Sequence, residues 1–197
     1  MDTLLPFVIF AFVASITPGP TNVLVMANAS RYGMAATLLP IVGACGAAAL
    51  IVLLAGSGLA RPLATHPAIQ QGLGLIGLAW LTWLSWQLFR SAAALDDASG
   101  DVRVRLGLVG AAGLQVVNPK VWMMALAVIG VFAAPGDGGR VASLALLFFL
   151  TAVPCMSAWA WLGARTATWI HSPRRLRCFN QAMALLLLAS AWLAVLL

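Results

Sequence analysis

The sequence predicts an all-α integral membrane protein: six transmembrane helices forming two inverted three-helix repeats, with the first and fourth helices broken at mid-membrane. Three observations carry that expectation. The chain is 62% hydrophobic and only 8% charged, with a mean hydropathy of +1.00, whereas a soluble domain carries about 25% charged residues. Its basic residues gather at the ends of apolar runs. Two proline motifs, Thr17-Pro18-Gly19-Pro20-Thr21-Asn22 and Asn118-Pro119-Lys120, interrupt two of those runs about a hundred residues apart.

The first span runs from about Leu4 to Ala29 and is broken at residues 17–20. Ser30-Arg31-Tyr32-Gly33 turns into the second, about Ala36 to Leu59, and the third is about Ala68 to Phe89. A mixed-charge stretch over residues 91–105 reads as a solvated connector. The fourth span, about Leu106 to Phe132, is broken at 118–120. Pro135-Gly136-Asp137-Gly138-Gly139 makes a turn, the fifth span is about Val141 to Gly163, and the sixth about Cys178 to Leu197. Residues 1–197 then form a single transporter domain, with repeat one over about 4–90 and repeat two over about 106–197. Gln70-Gln71-Gly72 with Leu75, Leu78 and Ala79 echoes Asn180-Gln181-Ala182 with Leu185, Leu188 and Ala189. Three spans per half is an odd number, so the halves would lie upside down to each other, as in many secondary transporters.

Charge sets the orientation. Arg31, Arg90, Arg103, Arg105, Arg165, Arg174, Arg175 and Arg177 fall on one side, and only Arg61 and Arg140 on the other. Eight against two places the first set in the cytoplasm and both termini outside it. Should Leu4 to Ile16 fold back instead of crossing, the N-terminus becomes cytoplasmic and five full spans remain. Met1-Asp2-Thr3 lacks the basic region of a cleavable signal. The same distribution of charge argues against a nucleic-acid role for the net +6.

Both breaks share a grammar: Thr17 and Asn118 are good N-caps, and Pro18 and Pro119 suit the first helical position. Read so, each is a helix restarting within the membrane, its free N–H groups carrying partial positive charge toward an anion. The prolines also free carbonyls, those of Ala14, Ile16 and Gln115, to meet a substrate amino group together with the side chains of Asn22 and Gln115. Lys120 is the charged residue well inside a span. A cation there is costly, and a substrate carboxylate would relieve it. The candidate substrate-binding set is therefore Thr17, Pro18, Gly19, Pro20, Thr21, Asn22, Gln115, Asn118, Pro119, Lys120 and Trp122. The plainer alternatives are proline kinks healed by neighbouring helices and a lysine that snorkels to an interface.

Other signals are weaker. Gly72-Leu73-Gly74-Leu75-Ile76-Gly77 spells a dinucleotide motif, but it lacks the preceding strand and the later acid, and reads as close helix packing. Gly43-Ala44-Cys45-Gly46 reads the same way. Cys45, Cys155 and Cys178 share no metal or redox spacing, and His66 and His171 sit beside prolines at span ends. Trp83, Trp86 and Trp169 fit an aromatic belt. The five acids are all Asp, at positions read as termini or loops.

Thr17-Pro18-Gly19-Pro20, Ser30-Arg31-Tyr32-Gly33, Asn118-Pro119-Lys120-Val121-Trp122 and the run Gly74 to Trp86 together resemble the LysE/RhtB family of bacterial amino-acid exporters. The likeness covers the whole chain in order and length. It departs at Thr21-Asn22, where many members have Asn or Asp directly after Pro-Gly-Pro. The resemblance implies an inner-membrane, multi-pass antiporter that exports amino acids or close derivatives, driven by the proton gradient, with no cofactor and no catalytic residue. Its partners would be a small amino-acid substrate and the lipid bilayer; whether copies form a homo-oligomer is not specified. A metal-cation exporter would need clustered acidic, Cys or His ligands. A membrane enzyme would need an acid–base or nucleophile–base constellation, and a scaffold protein would not explain two matched breaks.

The orientation is testable by single-cysteine labelling in a background without Cys45, Cys155 and Cys178. A membrane-impermeant reagent added outside the cell should label Gly136→Cys and not Ser99→Cys. The reverse pattern would invert the topology, and labelling of Thr3→Cys separates six spans from five.

Overall fold

The computed structural model describes residues 4–58, 66–91, 106–133, 137–169 and 173–196. Every secondary-structure element among them is α-helical: α1 (Leu4–Ile16), α2 (Pro20–Gly56), α3 (Pro67–Ser91), α4 (Leu108–Val116), α5 (Pro119–Phe132), α6 (Gly138–Trp169) and α7 (Pro173–Leu196). By length and composition α2 and α6 can cross a membrane, and α4 with α5, bent by 67° at their junction, can act as a third span. Leu4–Ile16, Leu75–Trp86 and Arg177–Ala189 are shorter apolar helices.

The expected turn after the first span lies inside α2. Gly33 has φ +82° and ψ 171°, a backbone that only glycine adopts at no steric cost, so α2 is two helices meeting there. Thr37 Oγ1 donates to the Gly33 carbonyl at 2.9 Å and accepts from Asn28 Nδ2 at 2.9 Å. Asn28 Oδ1 in turn accepts from the Leu106 N–H at 3.2 Å. One buried asparagine thus pins the turn to the chain just ahead of α4.

Two expected boundaries shift. The fifth span continues to Trp169, so Arg165 is helical, and α7 starts at Pro173, placing Arg174, Arg175 and Arg177 in its first turns. Proline at the first position suits a helix start, and Pro154 is accommodated inside α6. The loop at Arg61 and Pro62, the turn at Pro135-Gly136 and nearly all of the 91–105 connector lie outside the described residues.

Packing is tight inside and apolar outside. Phe7, Ile41, Val52, Leu144 and Phe148 are among the fully buried side chains of the main core, built from α1, α2, α5 and α6. A second cluster joins Val23, Leu24 and Leu114 to Leu81 and Leu84 of α3 and to Met183 and Leu187 of α7. Ser85 Oγ also donates to the Ala184 carbonyl, tying α3 to α7. Large apolar side chains cover the surface as well, including Leu39 at 63%, Met123 at 68% and Val109 at 80% exposure. Contiguous exposure of this kind marks a surface made for lipid or protein. Arg31 over Tyr32 and Arg165 over Trp161 give cation–aromatic pairs near helix ends.

Glycines decide how close the helices come. A Cβ on Gly77 would run into the Val117 carbonyl, on Gly43 into that of Leu108, and on Gly163 into that of Met26. The Gly72–Gly77 motif is therefore a packing motif at its last glycine, which seats α3 on the break between α4 and α5. Gly72 and Gly46 face open space, so only part of each small-residue run performs that role. Gly163→Ala should lower the thermal midpoint in detergent by the equivalent of about 1–3 kcal/mol, the usual cost of overpacking. Gly113→Ala, with nothing near its Cβ, should leave the midpoint unchanged or raise it.

Candidate functional site

The first break forms because α1 closes before its prolines begin. The Thr17 N–H and Oγ1 both donate to the Val13 carbonyl, at 3.0 and 2.6 Å, completing the last turn. Pro18 has no N–H to continue it. Gly19 is extended (φ −159°, ψ 176°) and Pro20 takes the first position of α2, whose first bond is Val23 N–H to the Gly19 carbonyl at 3.1 Å. The expected cap at Thr17 and Pro18 is thus corrected. The helix restarts at Pro20 with Gly19 in the cap position, and no side chain caps it, because Thr17 is spent on α1.

The second break follows the expected grammar. Asn118 is extended, its Oδ1 accepts from the Lys120 N–H at 3.1 Å, and Pro119 opens α5. The Asn118 N–H donates to the Gln115 carbonyl at 3.3 Å, and Trp122 Nε1 donates to the Val116 carbonyl at 2.7 Å.

Where α1 ends, three consecutive carbonyls are left without helical partners, and three side chains from three helices take them. Asn22 Nδ2 of α2 donates to Ser15 at 2.9 Å, Trp159 Nε1 of α6 to Ile16 at 3.1 Å, and Lys120 Nζ of α5 to Thr17 at 3.1 Å. A fourth contact joins the breaks directly: Thr21 Oγ1 donates to Gln115 Oε1 at 3.2 Å. The Ile16 carbonyl, expected to serve a substrate amine, is therefore occupied by Trp159, a residue with no warning in the sequence.

Beside these groups lies one cleft of about 40 Å³, whose polar lining includes Gly19, Thr21, Asn22, Gln115, Asn118 and Lys120, with Pro20. Thr17, Pro18, Pro119 and Trp122 of the expected set do not line it. Thr17 contributes through its carbonyl and Trp122 braces the end of α4. The rest of the lining includes residues the sequence did not mark: Cys45 and Ala48 of α2, Met124 of α5, and Phe148, Ala152 and Met156 of α6. Ser15, also unmarked, lines the cleft from α1.

Gly19 permits the approach of the lysine. A Cβ there would stand 3.3 Å from Lys120 Nζ, while its extended backbone would suit any residue. Lys120 is half-buried, and its ammonium donates to a neutral carbonyl. Asp137, the one carboxylate among the described residues, bonds the Arg140 N–H at 2.8 Å instead. The ammonium thus faces the cleft region with no counter-charge among the described residues, and an anion entering there would find it together with the uncapped start of α2. Among the described residues no group of three or more His, Cys, Asp or Glu side chains is placed to hold a metal ion.

Residues 12–196 match the LysE type translocator family. A cysteine/O-acetylserine efflux protein of Salmonella paratyphi A is 30% identical over 130 residues, which is 64% of this chain and 63% of that protein. The protein of the same name in Salmonella choleraesuis is 29% identical over 127 residues, with the same coverage. That of Klebsiella pneumoniae is 23% identical over 155 residues, 79% of this chain and 78% of the relative. The first of these alignments thus span just under two thirds of the relatives' length. No solved structure matches the chain. Two broken helices meeting at one cleft, within an all-helical apolar chain matched almost end to end, identify it as a membrane protein belonging to the LysE type translocator family.

Proposed function

We propose that the protein exports amino acids or close derivatives from the cytoplasm across a bacterial inner membrane, by proton-coupled alternating access. The observation that carries this reading is the meeting of the two breaks around Lys120. In this reading a zwitterion binds between them. Its carboxylate takes the Lys120 ammonium from the Thr17 carbonyl and meets the N–H groups at the start of α2. Its ammonium meets the side-chain oxygens of Gln115 and Asn22. Relatives named for cysteine and O-acetylserine efflux point toward small substrates.

The reading includes six spans in two inverted repeats. The first would be α1 with the start of α2, the second the rest of α2, and the third α3. The fourth would be α4 with α5, and the fifth and sixth α6 and α7. Support comes from which helices pair: α2 packs on α6, and α3 on α7. Those are the pairs a twofold relation between halves would bring together. Substrate exchange could then proceed by rocking of one half on the other about the breaks, as in other transporters built this way.

Counterflow of labelled amino acids in proteoliposomes tests the assignment, since a scaffold protein would exchange none. Replacing Pro18-Gly19-Pro20 by alanines should leave membrane levels near normal and abolish exchange; normal exchange would reduce the motif to a kink. Lys120→Met should weaken binding of amino acids roughly ten- to a hundredfold, as expected for loss of a charged hydrogen bond of about 1.5–3 kcal/mol. It should weaken binding of their amides and esters far less. Equal losses for both would refute the carboxylate pairing while leaving export intact.

A further inference from the structure

One polar side chain among the residues that line the cleft is left over when the zwitterion's charges have been assigned. Ser15 is 5% exposed and lines the cleft, and its Oγ has no hydrogen-bond partner in the protein. Several other helical hydroxyls in this chain bond the carbonyl four residues back. Thr37 uses Gly33, Ser143 uses Gly139, Thr151 uses Leu147 and Thr166 uses Leu162. Ala11 occupies the same position relative to Ser15 within α1, yet no such bond forms. A buried hydroxyl without a partner is destabilising, and such an orphan in a native fold calls for an explanation.

The chemistry of the atom narrows what it could bind. A serine hydroxyl is neutral, donates one hydrogen bond and accepts others. In the reading above the carboxylate and the ammonium of the substrate already have partners, which leaves the hydroxyl for a third group. It suits a neutral heteroatom. The rest of the wall, Cys45, Met124, Phe148 and Met156, is apolar and polarisable and provides little else for such a group to bond.

We infer that Ser15 Oγ reads a neutral oxygen or sulfur carried on the side chain of a small amino acid, and so sets preference among the substrates of the exporter proposed above. The inference rests on that reading. As a donor the hydroxyl would serve an ester carbonyl, and as an acceptor a substrate hydroxyl or thiol. One residue would thereby accommodate both kinds.

The full-length protein in proteoliposomes provides the test, with serine, cysteine and O-acetylserine competing against 2-aminobutyrate, which keeps the size but lacks the heteroatom. Wild type should prefer the heteroatom-bearing substrates by about three- to tenfold, the value of one neutral hydrogen bond, and Ser15→Ala should bring that ratio close to one. Because the hydroxyl has no partner to lose, the thermal midpoint of Ser15→Ala should be unchanged or raised. Ser15→Thr, which keeps a hydroxyl, should restore part of the preference. A ratio unchanged in Ser15→Ala, an equal loss for every substrate, or a lowered midpoint would each overturn the inference. If wild type exchanges these amino acids without preference, or exchanges other amino acids and none of these, the inference fails and export stands; if it exchanges no amino acid at all, the exporter reading itself falls.

Discussion

Three adjacent carbonyls at the end of α1 hold this structure's centre together. In a bilayer no water is at hand for a backbone group that a proline has orphaned, and each such group must be satisfied by protein. Ser15, Ile16 and Thr17 are satisfied by Asn22, Trp159 and Lys120 respectively. Those side chains come from the next helix, from α6 and from α5, so the break cannot be healed without drawing three elements to one point. The cleft is the space that this convergence leaves. Its position is thus a consequence of backbone accounting as much as of any requirement of a substrate.

The same constraint explains the character of Lys120. An ammonium among apolar helices is costly, and here it is not neutralised by an acid among the described residues but held by a carbonyl dipole. A carbonyl is a weaker partner for it than a carboxylate would be. A carbonyl gives up such a partner more readily than a buried carboxylate would. Gly19 belongs to the same region, where a Cβ would stand 3.3 Å from the ammonium and press on it. Around this exchangeable centre the glycines at 43, 77 and 163 allow backbone-to-backbone contact, and van der Waals packing of this sort is the principal cohesive force between helices in lipid.

The two breaks are chemically unlike despite their similar appearance. Asn118 caps α5 with its own side chain, leaving that start partly satisfied. The start of α2 has only a glycine in the cap position and keeps its N–H groups less encumbered. Of the two helix starts, that of α2 is therefore the better anion site. The Thr21–Gln115 bond links the more polar start to the end of α4.

The sequence by itself determined the membrane character, the helix boundaries to within a turn at most ends, and both break positions, because proline and glycine act locally and apolar length is a property of the chain. It also marked the polar lining of the cleft, from Gly19 to Asn22 and from Gln115 to Lys120, since those residues lie within a few positions of the breaks. Where it misplaced a cap, assigning Thr17 to the second helix instead of the first, the competing choice was the Val13 carbonyl, which a sequence pattern cannot rank against a restart. Tertiary structure alone decided the rest. Trp159 and Ile16 are 143 residues apart, and Cys45, Phe148 and Met156 look like any other apolar residue of a long helix. Ser15 likewise reads as an ordinary small helical residue until the packing of α1 shows that its hydroxyl has gone unclaimed. Contacts between distant residues depend on how whole helices cross, and no local preference encodes that.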